Sequence, residues 1–235
     1  MVRSDQQNPS PSRRRRNSIS RAEIVRAAID LVESEGLAAL TMRRVSERIG
    51  SSTMAVYGHV ADRDALLVEM LEQVYGTMPL DATAADPYGR VEERMIAAHD
   101  FFTDHLWVPR LMTRGDLLAT SSLGFADRCI GDFIDAGMAP AEALFSFGEC
   151  WHLMLGELLD RHPDDLGPRP TQRERVLLDM NTDAYPHYAH VLGNLDPLDG
   201  PPADRFPEAI AIMLAGINAI ATTTVRPPGL EPGTH

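Results

Sequence analysis

The sequence has no lysine: all 22 of its basic side chains are arginine, a usage that reads as codon bias from a GC-rich genome rather than as physics. It has two cysteines, Cys129 and Cys150, too few for a disulfide framework and without metal-ligand spacing, so a reduced, cytoplasmic compartment is expected. No window approaches the ~18 consecutive apolar residues of a membrane span, and no apolar segment follows the basic N-terminus as in a secretory signal. The chain also lacks G-x-S-x-G, a P-loop, G-x-G-x-x-G and H-E-x-x-H. Cys150 and His152 are wrongly spaced for zinc, and His99 and His105 point to different faces of one helix. These absences predict no catalytic residue, no metal, no cofactor and no membrane partner. Two-residue alternation flanked by hairpin turns is absent as well, so no strand is expected.

What is present is a globular composition: 235 residues, 44% hydrophobic and 24% charged, enough for a sizeable core in one large domain or two small ones. The net charge of −12 divides sharply. Residues 1–63 carry eleven Arg against seven Asp and Glu, or +4; residues 64–235 carry eleven against twenty-seven, or −16. A basic end on an acidic body suggests a module that binds a polyanion, although a merely solvated tail would carry the same charge.

Residues 1–18 are polar and aperiodic and read as a disordered arm carrying Arg13 to Arg16. That run either reaches a minor groove or adds sequence-independent attraction to phosphate, and the second is preferred. Ser20 and Glu23 form a capping box, followed by Ile24, Ala27, Ala28, Leu31 and Val32 at helical spacing and by Gly36 as a stop. Short helices are expected over Met42–Ile49 and around Thr53–His59, with Asp62 capping a longer one through Leu66, Met70 and Val74. Asp86-Pro87 opens a helix to about Leu106, ended by Val108-Pro109; another lies near Ser122–Ala136. Pro140 opens a long apolar helix to Arg161, Thr171 and Glu174 form a second capping box, and Asp183–His190 is a loop or short surface helix. After a loop over 193–204, Phe206–Thr224 is the last helix. The pattern predicts an all-α chain of about nine or ten helices.

One segment carries specific information, Leu40 through Val60. Small Ser46, Gly50 four residues on and β-branched Val56 six further suit a helix-turn-helix: the small side chain permits a close crossing, the glycine takes the left-handed turn, and the valine locks the second helix. Val45, Ile49 and Val56 would face Ile24, Ala28 and Leu31. In such a unit the second helix enters the major groove. An ordinary αα-hairpin can have the same spacing.

The run LTMRRVSERIGSSTMAVYGHVADRDALL, with AAIDLVESEGLAALT before it, resembles the DNA-binding domain of the tetracycline-repressor (TetR) family of bacterial regulators, over roughly residues 20–70. The resemblance implies an N-terminal three-helix helix-turn-helix DNA-binding domain (19–65), a larger C-terminal helical effector-binding and dimerisation domain (66–226) and a flexible tail (227–235). It implies a homodimeric repressor that binds a palindromic operator in double-stranded DNA and is released by a small-molecule effector. It places Arg43 where the family makes a base or phosphate contact, Thr53, Met54 and Ala55 on the exposed turn that meets base edges, Tyr57 and His59 at phosphate, and Arg63 at the start of the fourth helix. For Arg44 and Arg48 a solvated face and a phosphate contact stay equally open. The departures are the apolar reading turn, which favours thymine methyls and shape over bidentate hydrogen bonds, and Gly58, which weakens its helix by ~1 kcal/mol relative to Ala.

For the C-terminal body, His99, Phe102, Trp107, Phe145, Glu149 and His152 are the candidates for effector contact, against plain core packing for any one of them. Glu149 on an otherwise apolar helix needs a partner, either a ligand or an arginine such as Arg114 or Arg128. Dimerisation is expected on the long helix Pro140–Asp160 and the last helix, where Ala209, Ala211, Ala215, Gly216 and Ala219 permit close approach. The competing functions are an effector-less architectural DNA-binding protein and a helical small-molecule-binding protein.

Overall fold

The computed structural model describes residues 19–162, 170–193 and 205–224. The arm over 1–18, most of the loop over 193–204 and the tail over 227–235 lie outside the described residues. Among those described there is no strand; there are eleven α-helices, one more than the upper expectation. They are α1 (Arg21–Glu35), α2 (Met42–Arg48), α3 (Thr53–Tyr57), α4 (Arg63–Tyr75), α5 (Pro87–Asp104), α6 (Trp107–Met112), α7 (Leu123–Asp135), α8 (Pro140–Arg161), α9 (Gln172–Leu178), α10 (Pro186–Gly193) and α11 (Phe206–Thr224). The chain divides into two compact units, one up to Met70 and one from Leu71, so the boundary falls inside α4.

The first unit follows its local signals. Ser20 and Glu23 close the capping box of α1, and Gly36 ends it at φ +82°. The Thr41 hydroxyl caps α2 by accepting from the Arg44 amide, and Ser52 caps α3 by accepting from the Ala55 amide. Ile24, Ala28, Leu31, Val45 and Val56 are fully or nearly fully buried together with Leu66, Leu67 and Met70 from α4; Ile49 is only half-buried. Burying a side chain of this size stabilises by about 1.5–3 kcal/mol.

In the second unit α5 lies against α7, α8 and α11, and α8 also contacts α6 and α11. Its core contains Val91, Met95, Phe102, Leu111, Phe125, Phe133, Met154 and Phe206. A charged clamp joins α5 to α7: Asp132, 6% exposed, accepts from Arg90 Nε at 2.6 Å and from Arg94 Nη1. Arg94 Nε also donates to the Leu80 carbonyl at 2.9 Å. The start of α5 is a tight site, since the Asp86 carboxylate that caps it comes so near Gly89 that a Cβ there would sit 2.7 Å from an oxygen.

Two expectations are corrected. Val108-Pro109 does not end a helix: α5 stops at His105, and α6 runs from Trp107 through Pro109. Pro109 is the third residue of α6, where an amide would have no intrahelical acceptor to lose. The expectation that no window approaches a membrane span fails for α11, where Phe206–Thr223 has a mean hydropathy of 1.4 and 17% of the window is buried. Its Phe206, Ile210 and Leu214 are buried in this unit, and Ile212 and Ile220 are exposed.

Candidate functional site

The turn between α2 and α3 is built as its residues dictate. Gly50 adopts φ +64°, a conformation that favours glycine, and the Ser51 amide returns to the Ser46 carbonyl at 2.9 Å. Ser46 is 2% exposed at the helix crossing. Its Oγ donates to the Arg43 carbonyl at 2.7 Å and lies 3.0 Å from Thr53 Oγ1. The first residue of α3 therefore carries a hydroxyl already engaged from within, which the sequence reading did not foresee.

The candidate DNA-contacting residues separate into exposed and tied groups. The Arg43 side chain is 83% exposed and pairs with Glu47 one turn on at 2.8 Å, a hydrogen bond that raises the guanidinium pKa further and keeps it charged. Met54 is 79% exposed and Tyr57 46%, while Thr53, Ala55 and His59 are half-buried. Arg63 stands apart. Its Nε donates to the Leu40 carbonyl at 3.1 Å and its Nη2 to the Leu37 carbonyl at 3.4 Å, so it holds the turn that leads into α2. Arg44 and Arg48 both face Glu35 at the end of α1, at 2.5 and 3.8 Å.

Arg21 was missed from sequence. It donates through Nε and Nη2 to the His59 carbonyl at 3.1 and 2.6 Å and pairs with Glu69 at 2.8 Å. It thus ties the segment just after α3 to α1 and α4. As the first residue of α1 it carries no periodic signal that could have marked it.

In the second unit the effector candidates also split. His99 is buried in α5, with Nε2 2.6 Å from Glu157 Oε2 and its ring stacked on Phe206 at 4.3 Å. Phe102 is fully buried and meets Tyr75 and Trp151 edge-on at 5.8 and 5.9 Å. Phe125 and Phe147 extend this cluster around Trp151. Trp107 is buried too, and its Nε1 and the Tyr75 hydroxyl are buried without a hydrogen-bond partner among the described residues. Burial alone pushes the Tyr75 phenol above its ordinary range, so it remains a neutral donor.

Phe145, Glu149 and His152 are not brought into that cluster. Phe145 is 68% exposed, His152 is exposed and Glu149 half-buried. They form one stripe of α8, opposite the buried stripe of Ala143, Cys150, Met154 and Leu158. The helix is apolar on two sides, and its spacing does not say which side faces inward. A groove of about 340 Å³ runs between α8 and α11, lined by Met138, Phe145, Ile217 and Ile220 among others. Among the described residues no group of His, Cys, Asp and Glu is placed to hold a metal. Burial pushes the Cys129 and Cys150 thiols up to about 12, which leaves both unreactive.

Residues 24–70 match the family model described as bacterial regulatory proteins, tetR family. A Saccharopolyspora erythraea protein named an HTH-type transcriptional regulator is 24% identical over 218 residues, 91% of this chain and 90% of that protein. The crystal structure of a possible TetR family transcriptional regulator from Streptomyces coelicolor superposes with a TM-score of 0.72 at 24% identity, over 86% of this chain and 100% of that one. Another Streptomyces coelicolor TetR family protein, ActR in complex with actinorhodin, superposes with a TM-score of 0.69 at 21% identity, over 86% and 97% of the two chains.

Proposed function

We propose that the chain, whose residues 24–70 match the family model of bacterial regulatory proteins, tetR family, is a transcriptional regulator of that family, a homodimeric repressor that reads a pseudo-palindromic operator and leaves it when a small molecule binds. The observation that carries the reading is the exposed start of α3. Met54 and Tyr57 project from a short helix whose capping, glycine turn and Arg21 tether hold it rigidly on a buried three-helix base. Arg43, Thr53, Met54, Ala55, Tyr57 and His59 then meet bases and phosphate, and Arg63 acts by holding the entry to α2.

The effector site is placed in the aromatic cluster around Phe102 and Trp151, with Trp107, His99 and the Tyr75 hydroxyl as polar anchors. A buried donor without a partner costs about 1–3 kcal/mol, which a ligand acceptor would offset. That ActR has been crystallised with actinorhodin supports a ligand-binding body. The homodimer is placed on the outward faces of α8 and α11, where Leu144, Phe145, Ile212 and Ile220 are exposed. Pairing with a second copy is the stable fate of such a patch on a helix that already packs one side. Since α4 contributes to both units, we assign transmission to it. Half-sites on one DNA face lie about 34–36 Å apart, so a few ångströms of change would break simultaneous contact. Linkage then requires effector to bind the free protein more tightly than the operator complex, by the factor with which it weakens operator binding.

The test is selection of bound duplexes from a random pool followed by footprinting of the winner. A discrete two-fold-symmetric site, lost on adding an effector that quenches Trp107 or Trp151 fluorescence, is the expected result. Smeared protection of every duplex would leave an architectural DNA-binding protein instead.

A further inference from the structure

The hydrogen bonds at the α2–α3 crossing have a direction. Ser46 has one hydroxyl proton, and the carbonyl of Arg43, 2.7 Å away, can only accept it. The 3.0 Å contact between Ser46 Oγ and Thr53 Oγ1 must then use the proton of Thr53. The relay runs from the Thr53 hydroxyl to Ser46 Oγ and from the Ser46 hydroxyl to the Arg43 carbonyl, and the burial of Ser46 shields it from exchange with water. Thr53 keeps lone-pair capacity and its methyl group but has no proton left to donate. Met54 and Ala55 supply no N–H or O–H from their side chains.

We propose that the buried Ser46 hydroxyl, by taking the proton of Thr53, makes Thr53 an acceptor-and-methyl reader of an A·T base pair and sets it against G·C. The inference rests on the reading of α3 as the base-contacting helix and adds which base pair its first residue selects. In the major groove an A·T pair offers an amino group at adenine N6 and the thymine C5 methyl, which match an acceptor oxygen and a methyl on one side chain. A G·C pair also has a donor, at cytosine N4, but no methyl beside it, and guanine N7 and O6 are acceptors to which Thr53 without its proton has nothing to give. Ser46 never touches DNA in this scheme; it is a positioning residue that acts through Thr53. It serves both as the small group at the crossing and as the acceptor that fixes its neighbour's polarity.

The test uses the full-length protein and the duplex selected from a random pool, with every position of one half-site varied. Wild type is expected to show an A·T position where G·C costs about tenfold in affinity. Replacing thymine by uracil there, which removes only the methyl, should cost about fourfold. In S46A the Thr53 proton is released, and the G·C penalty at that one position should fall below threefold while other positions keep their preferences. T53V, which keeps the shape and the methyl but not the acceptor oxygen, should bring the G·C penalty down to that of the missing methyl alone, about fourfold, and retain the uracil effect, and it tests the acceptor role if S46A folds poorly. An S46A protein that binds every duplex more weakly with the wild-type preference intact would make Ser46 a packing residue and overturn the proposal, as would T53V with full discrimination. If no discrete site is selected at all, the reading of α3 fails and takes this inference with it; a discrete site with unchanged preferences overturns this inference alone.

Discussion

Phe145 is the residue whose structural position most changes what its replacement should do. On α8 it is 68% exposed, beside the groove shared with α11. Burying a phenylalanine fully stabilises by about 1.5–3 kcal/mol, so the exposed two-thirds of this ring is worth about 1–2 kcal/mol to a surface that covers it. In a two-fold dimer each such ring counts twice, which brings Phe145→Ala to about 2–4 kcal/mol of association free energy. That raises the dimer dissociation constant by about 1.5 to 3 decades. Sedimentation or light scattering over a dilution series reads the constant directly, and operator affinity should fall with it because a lone head holds only one half-site. At a fixed protein concentration the thermal midpoint should fall below that of wild type. A variant with an undiminished dimer and an altered effector response would refute the reasoning, because it would put Phe145 in the ligand site after all.

Asp132→Ala leaves Arg94 buried without its carboxylate and should cost about 3–5 kcal/mol in urea unfolding, while Asp135→Ala, whose side chain is 67% exposed, should cost under about 1 kcal/mol. Tyr57→Ala should weaken binding to every duplex about equally and leave the melting curve unchanged. Its logarithmic salt slope should shift by less than the roughly 0.9 of one neutralised phosphate, because a phenol carries no charge, and wild-type affinity would remove Tyr57 from the DNA interface. Glu72 accepts from the Ser121 and Thr120 amides ahead of α7, and its pKa is lowered from 4.5, chiefly through hydrogen bonding to Ser121. Its contribution is therefore present above 4.5 and is lost as pH falls from there through the lower folded value. Glu72→Gln should flatten the acid side of the stability–pH curve, measured by melting between about pH 7 and 3, and an unchanged acid limb would contradict that assignment.

Local signals were legible where one short-range rule decides the outcome. Ser20 with Glu23, Thr171 with Glu174, Pro140 and Gly50 each act within a turn of chain, and α1, α8, α9 and the α2–α3 turn formed where those residues put them. The α6 helix was hidden because a proline reads as a stop unless its place in the first turn is known. The facing of α8 was hidden because both sides are apolar, so periodicity cannot separate a core stripe from an outward one. The roles of Arg21, Arg63 and Thr53 depend on contacts with His59, Leu40 and Ser46, which no spacing within one helix reveals. The basic N-terminal half, the helix-turn-helix spacing and the apolar last helix were visible; which arginines are exposed and which are tied was not.

Hydrogen exchange of the full-length protein with and without the selected operator duplex tests the central claim, that the α2–α3 surface is what meets DNA. Operator should slow exchange of the amides from Arg43 to His59, most strongly over Thr53 to Tyr57, in the dimer at saturating duplex. Unchanged exchange across that segment, with protection elsewhere in the chain, would contradict the assignment of α3 as the reading helix.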